Sequence, residues 1–116
     1  SENLMLTERG TSFGYNMLVN DFRALSVMRR TGFPVVYDAT HSVQMPGGRG
    51  ASSGGDPGYI FPLSRAAVAV GCDALFVEVH EDPSRALSDG ANMLRLDLLD
   101  KYLKEMMKIE RAVKGI

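Results

Sequence analysis

The sequence predicts an α/β fold in which three strand–helix units follow one another along a parallel sheet. Three observations carry this reading. Short, nearly continuous apolar runs begin near residues 4, 35 and 74, the pattern of parallel strands covered on both faces. A helix-like segment follows each run. The interval between runs is the length of a parallel βα crossover.

The elements take these places. Leu4-Met5-Leu6 is the first strand, running into the polar turn Thr7-Glu8-Arg9-Gly10 and a loop, Thr11-Ser12-Phe13-Gly14-Tyr15-Asn16. Asp21 caps a helix through about Thr31. Leu25 and Met28 share one of its faces, and Arg29-Arg30 sit near its C-terminus, where the helix dipole favours cations. Gly32 ends that helix and Pro34 blocks its continuation. Val35-Val36-Tyr37 is the second strand, terminating at Asp38-Ala39-Thr40-His41. The glycine-rich stretch Ser42 to Gly58 is too long for an ordinary connector. It reads as an irregular loop, either a functional lid or a disordered segment. A second helix runs from about Tyr59 to Val70 and stops at Gly71. The third strand is Ala74-Leu75-Phe76-Val77, ending in Glu78-Val79-His80. A polar segment from Glu81 to Ala91 leads to the last helix, about Asp97 to Lys114. Its apolar stripe is Leu99, Tyr102, Leu103, Met106, Ile109 and Val113, and Gly115 stands where a C-terminal cap belongs.

Three parallel strands leave bare edges at the first and third, open to pairing with other chains. A (β/α)8 barrel takes about 250 residues, roughly 31 per unit, so 116 residues hold three units and one long loop. The fold expected is therefore the last three βα units of a (β/α)8 TIM barrel. Residues 1–116 would form the C-terminal part of a single barrel domain whose earlier strands are absent from this chain. The alternative, a small three-layer α/β domain, is disfavoured because open sheets mostly carry four or more strands.

Composition narrows the function. The chain is 45% apolar and 23% charged, a globular balance. Thirteen Lys and Arg against fourteen Asp and Glu give a net charge of -1, without the positive excess that nucleic-acid binding needs. No apolar run reaches the length of a membrane-spanning helix. The single cysteine, Cys72, excludes a disulfide framework and reads as core, as do the seven methionines. No signal-peptide pattern is present, so a cytoplasmic enzyme, or part of one, is expected.

Barrels carry function at the C-terminal ends of their strands, and the polar residues fall there: Thr7 and Arg9, Asp38 and His41, Glu78 and His80. Alternation puts Met5, Thr7 and Arg9 on one face of the first strand, and Ala74, Phe76, Glu78 and His80 on one face of the third. These faces should look into the barrel mouth. His41, Glu78 and Asp89 offer one imidazole and two carboxylates, a set that suits a divalent first-row metal. The same residues equally suit a solvated loop surface. Arg9 presents a fork of donors for a phosphate or carboxylate, or a salt bridge to Glu8. Asp38 can brace the loop after it. His80 is read as bonded to backbone near Pro83 and not as a ligand.

Six motifs in this order carry a resemblance: Thr7-Glu8-Arg9-Gly10, Phe13-Gly14-Tyr15-Asn16, Asp38-Ala39-Thr40-His41-Ser42-Val43-Gln44, Ser53-Gly54-Gly55, Ala67-Val68-Ala69-Val70-Gly71-Cys72-Asp73 and Leu87-Ser88-Asp89-Gly90. Together they resemble the C-terminal part of the 3-deoxy-D-manno-octulosonate 8-phosphate synthase family. The resemblance implies condensation of phosphoenolpyruvate with D-arabinose 5-phosphate and water, giving the eight-carbon sugar-acid phosphate and inorganic phosphate on the route to lipopolysaccharide. It implies that Arg9 binds phosphoenolpyruvate, and that Gln44 and the glycine-rich loop close over the substrates. It further implies that His41, Glu78 and Asp89 are catalytic residues and ligands of a divalent metal, and that the protein is a homo-oligomer, typically a tetramer.

Whether such an enzyme needs the metal depends on a Cys or an Asn on the first barrel strand, which lies outside this chain. A lysine from an earlier strand is also outside it, so the chain is expected to be inactive alone. Two alternatives stand beside this one. The related 3-deoxy-D-arabino-heptulosonate 7-phosphate synthase, which uses erythrose 4-phosphate, shares Glu8-Arg9-Gly10 and Leu87-Ser88-Asp89-Gly90. The other is a non-catalytic fragment that assembles through its open strand edges.

Overall fold

A computed structural model describes residues 3–49, 52–88 and 90–116. Along the chain run β1 (Leu6–Glu8), β2 (Thr11–Ser12), β3 (Leu18–Val19), α1 (Arg23–Arg29), β4 (Val35–Asp38), β5 (Gln44–Arg49), β6 (Ser52–Gly55), α2 (Ile60–Val70), β7 (Ala74–Phe76), β8 (Val79–His80), β9 (Leu94–Arg95) and α3 (Leu99–Lys114). The main sheet is parallel, in the order β1-β4-β7, with a helix crossing over between successive strands. This is the partial βα barrel that the sequence predicts.

All four residues of β4 are buried, whereas β1 and β7 each keep exposed positions. Among the described strands, only β4 has a partner on both edges. The register sets Leu6 beside Val35, and Tyr37 beside Leu75. That face packs on Leu25 of α1, Ile60 and Ala67 of α2, and Tyr102 and Met106 of α3. Each fully buried side chain of this size contributes about 1.5–3 kcal/mol of transfer free energy. Thr7, Val36, Ala74 and Phe76 align on the opposite face, where Phe76 keeps 48% of its surface exposed. The alternation therefore falls as expected, with the open face on the side that a barrel turns inward.

Local chemistry explains the helix ends. Asp21 accepts the Arg23 backbone N–H at 3.1 Å and pairs with the Arg23 guanidinium at 2.9 Å. The side-chain bond to Arg23 holds this carboxyl below its ordinary range. Regular α1 ends at Arg29 and not at Thr31. The Thr31 hydroxyl donates back to the Met28 carbonyl at 2.7 Å and closes a last turn instead. α2 stops at Gly71, and α3 at Gly115, whose φ of 74° is the left-handed cap conformation that glycine adopts without strain.

Four expectations need correction. The glycine-rich stretch is a hairpin and not an irregular loop. β5 pairs antiparallel with β6, Gln44 opposite Gly55, Met45 opposite Gly54 and Arg49 opposite Ser52. Glycine-rich strands lack the β-branched alternation that marks a strand in sequence, and the pairing shows in the backbone register. The third main strand stops at Phe76; Val79 and His80 instead pair in parallel with Leu94 and Arg95. β1 is shifted two residues toward the polar end, because the ladder with β4 includes Thr7 and Glu8. The α3 stripe is narrower than read, with Leu103 45% and Val113 54% exposed. Val113 overhangs because the 16 residues of α3 outrun the 11 of α2.

The α2–α3 seam holds a buried polar pair. The Tyr102 hydroxyl donates to Ser64 Oγ at 2.7 Å, and its ring meets Phe61 edge-on at 5.3 Å. Cys72 packs partly buried against the same core, and burial pushes its thiol pKa up, as suits an inert core cysteine. No helix among the described residues is long and apolar enough to cross a membrane.

Candidate active site

β4 ends in Asp38, and a short 3-10 turn, His41–Val43, follows it. One Asp38 oxygen accepts the His41 backbone N–H at 3.0 Å; the other meets His41 Nδ1 at 2.8 Å. A carboxylate only accepts, so this contact favours the tautomer with the proton on Nδ1. The Nε2 lone pair then points toward Glu78, whose Oε2 lies 3.6 Å away. The Phe76 ring stands beside the imidazole, with centroids 5.9 Å apart. Asp38 thus braces His41, and His41 and Glu78 meet at the strand C-terminal ends.

The second expected pair also meets. Arg9 Nη2 donates to Gln44 Oε1 at 3.2 Å, joining the end of β1 to the first residue of β5. Glu8 is occupied elsewhere. Its Oε1 accepts the Gly10 backbone N–H at 2.7 Å and the Asn20 amide at 3.2 Å. Gly10 turns there with φ of 97°, and a β-carbon would crowd Leu18 at 3.3 Å. The Asn20 amide also reaches Ser42 Oγ at 3.2 Å, tying the Arg9 turn to the His41 turn.

Of the remaining candidates, His80 Nδ1 accepts the Asp82 backbone N–H at 2.9 Å, the backbone role read for it. Asp89 lies outside the described residues. Among the described residues no group of three or more His, Cys, Asp or Glu side chains is placed to hold a metal. The donors that are described nevertheless suit one. Metal–ligand bonds of about 2.0–2.2 Å bring two donors on one ion to separations of this order. An imidazole whose other nitrogen is held by a carboxylate is the usual metal-ligating form. His41 Nε2 and Glu78 are therefore fit to serve as two ligands.

A hollow of about 950 Å³ lies elsewhere. Gly55, Phe61, Asp82, Ser84, Leu94 and Arg95 help to line it, and neither His41, Glu78 nor Arg9 does. Its acid and base are already engaged, Asp82 with Ser84 and Arg95 with Asp97. Donor chemistry, not concavity, marks the site.

Two buried residues escaped the sequence reading. Thr40 Oγ1 accepts the Glu78 backbone N–H at 3.1 Å, and the Thr40 carbonyl accepts the Asn92 amide at 3.1 Å. Polar residues in loop-like stretches read as solvated, yet both are fully buried.

A parallel βα sheet with an arginine–glutamine pair and a braced His–Glu pair at its strand ends is part of a βα barrel. The comparisons agree, and the chain belongs to the DAHP synthetase I family, whose profile matches residues 1–115. It is 64% identical over 115 residues to a protein of Syntrophotalea carbinolica named 2-dehydro-3-deoxyphosphooctonate aldolase, covering 99% of this chain and 42% of that relative. A protein of the same name from Geobacter sulfurreducens is 59% identical over 114 residues, 98% of this chain and 42% of its own length. Among solved structures, phospho-2-dehydro-3-deoxyheptonate aldolase (DAHP synthase) of Thermotoga maritima superposes with a TM-score of 0.77 at 33% identity, covering 94% of this chain and 30% of that one. The chain thus spans about two-fifths of the curated relatives it matches.

Proposed function

We propose that this chain carries part of the active site of an enzyme that condenses phosphoenolpyruvate with D-arabinose 5-phosphate and water. The products are 3-deoxy-D-manno-octulosonate 8-phosphate and phosphate. The names of the relatives at 55–64% identity support the eight-carbon product. The seven-carbon alternative rests on structures at 33–35% identity. For the roles of the residues, the supporting observation is the meeting of His41 with Glu78 on the strand edge where Arg9 meets Gln44.

Arg9 binds the phosphate or carboxylate of phosphoenolpyruvate. Gln44 engages one guanidinium nitrogen and leaves further N–H donors for the anion. Asp38 keeps the proton on His41 Nδ1, so Nε2 stays aimed at the reacting side. Glu78 places a carboxylate opposite it. His41, Glu78 and Asp89 would hold a divalent metal, which supplies Lewis-acid polarisation of the sugar aldehyde or acidifies a water. Phe76 stands beside the imidazole. The β5–β6 hairpin, with Gln44 at its base, covers the substrates and keeps bulk water from the intermediate.

The free edges of β1 and β7 pair with the remaining strands of the barrel, and the chain by itself is inactive. The further reading is a cytoplasmic, tetrameric enzyme of lipopolysaccharide synthesis, with no nucleic-acid or membrane partner.

The test places this chain in the barrel of the Syntrophotalea carbinolica relative, in place of the matched segment, and offers each sugar phosphate in turn. Turnover with arabinose 5-phosphate is expected. Turnover with erythrose 4-phosphate alone overturns the assignment.

A further inference from the structure

We propose that Thr40 and Asn92 are the positioning residues of this site, a single buried joint that sets His41, Glu78 and Gln44 relative to one another. The inference rests on the functional reading above and deepens it.

Thr40 directly precedes His41 and is fully buried. Its hydroxyl accepts the backbone N–H of Glu78. The residue that carries the imidazole is thereby fixed to the residue that carries the carboxylate, across the β4–β7 boundary. Main-chain anchoring at both ends narrows the range that either side chain can sweep. Asn92 grips the same Thr40 from the other side, through the carbonyl. It belongs to the short 3-10 turn Gly90–Asn92, which follows Leu87-Ser88-Asp89 in the chain.

Asn92 also supports the substrate-binding pair. Gly55 lies so close to it that an added β-carbon would stand 3.0 Å from Asn92 Cβ and 3.2 Å from the Ala91 carbonyl oxygen. Gly55 pairs with Gln44, and Gln44 accepts from Arg9. One joint therefore lies between the His41–Glu78 pair and the Arg9–Gln44 pair.

The Asn92 side-chain oxygen, Oδ1, is buried and has no hydrogen-bond partner among the described residues. An apolar side chain of the same shape would remove that orphan and leave the buried Thr40 carbonyl without its donor instead. The amide donation to Thr40 ties the Gly90–Asn92 turn to the residue that precedes His41.

Two readouts test this. Manganese(II) alone is titrated into the complete barrel that carries the chain, and kcat and KM are measured on the same protein. Thr40→Val, which keeps the shape and removes the acceptor, is expected to weaken manganese binding and lower kcat about 10- to 100-fold each, the usual cost of losing support behind a ligand. KM for phosphoenolpyruvate should stay within about twofold, because Arg9 follows β1 while Thr40 follows β4. Thr40→Ser restores both values, and Asn92→Ala, with folding followed by circular dichroism, repeats the loss.

Wild-type values in Thr40→Val, a loss that Ser does not restore, or a change in KM alone overturns the proposal. If the complete barrel fails to turn over arabinose 5-phosphate, the functional reading falls and manganese affinity still decides for or against the joint. If manganese does not bind the unaltered barrel, the kcat of the variants decides. If neither readout exists, the proposal falls with the reading.

Discussion

His41 Nε2 lies 3.6 Å from Glu78 Oε2, although one residue follows β4 and the other follows β7. The adjacency depends on the parallel pairing of those strands, which ends both at the same edge. With Nδ1 facing Asp38, Nε2 and the Glu78 carboxylate are two donors side by side. Replacing His41 by Ala removes one of them. Metal content and turnover in the complete enzyme should both fall, by more than the roughly 10–100-fold that loss of a supporting residue causes. Elemental analysis beside a kinetic assay reads this out; unchanged metal occupancy removes His41 from the ligand set.

Asp38→Asn isolates the brace from the ligand. An amide retains the shape, but it can present an N–H to His41 Nδ1 and so favour the opposite tautomer. Activity is expected to drop about 10- to 100-fold while the fold persists. Near-wild-type kcat in a well-folded Asp38→Asn enzyme would show that the contact at 2.8 Å does no more than decorate the turn.

Arg9→Lys separates charge from geometry. Lysine keeps the positive charge and loses the planar fork. One charge-assisted hydrogen bond is worth about 1.5–3 kcal/mol, so KM for phosphoenolpyruvate should rise about 10- to 100-fold. Steady-state kinetics with the sugar phosphate held saturating measures it. An unchanged KM would place the anion elsewhere.

Much of this was legible in the sequence, for identifiable reasons. Val35-Val36-Tyr37 announced the central strand because burial on both faces leaves no room for polar alternation. Gly71 and Gly115 announced the ends of α2 and α3 because their backbone angles suit glycine. His80 could be set aside because the polar turn beside it offers backbone donors. The hairpin from Gln44 to Gly55 was invisible, since its pairing uses main-chain groups that every sequence has. Thr40 and Asn92 were invisible for a different reason. Their burial is produced by segments distant in the chain, and nothing within a few residues of either marks it.

Gly55→Ala tests the close approach that supports the hairpin. The new methyl would meet Asn92 Cβ at 3.0 Å and the Val43 carbonyl oxygen at 3.2 Å. Neither neighbour is the free end of a flexible side chain, so the backbone must shift. Overpacking of this kind costs about 1–3 kcal/mol. A lower denaturation midpoint, together with faster amide exchange along β5 and β6, is expected. Unaltered exchange in that segment would mean that the base of the hairpin has slack.

Alkaline pH tests the α2–α3 seam. Burial pushes the Tyr102 hydroxyl up to about 12, despite the bond to Ser64, from an ordinary value near 10. The folded state therefore holds this proton more tightly than the unfolded chain does. Below about pH 10 both states are protonated, and the seam contributes its full stability. Between 10 and 12 the unfolded chain loses protons that the folded one keeps, so stability falls as pH rises. Tyr37, shifted upward by its own burial, acts in the same direction. Tyr102→Phe removes one such group and should flatten the decline. It also costs about 0.5–1.5 kcal/mol at neutral pH through the lost hydrogen bond. Urea titrations at pH 7 and across pH 9.5–11 separate the two effects. A variant that loses stability with the same alkaline slope as the parent would show that Tyr102 is not the group being titrated.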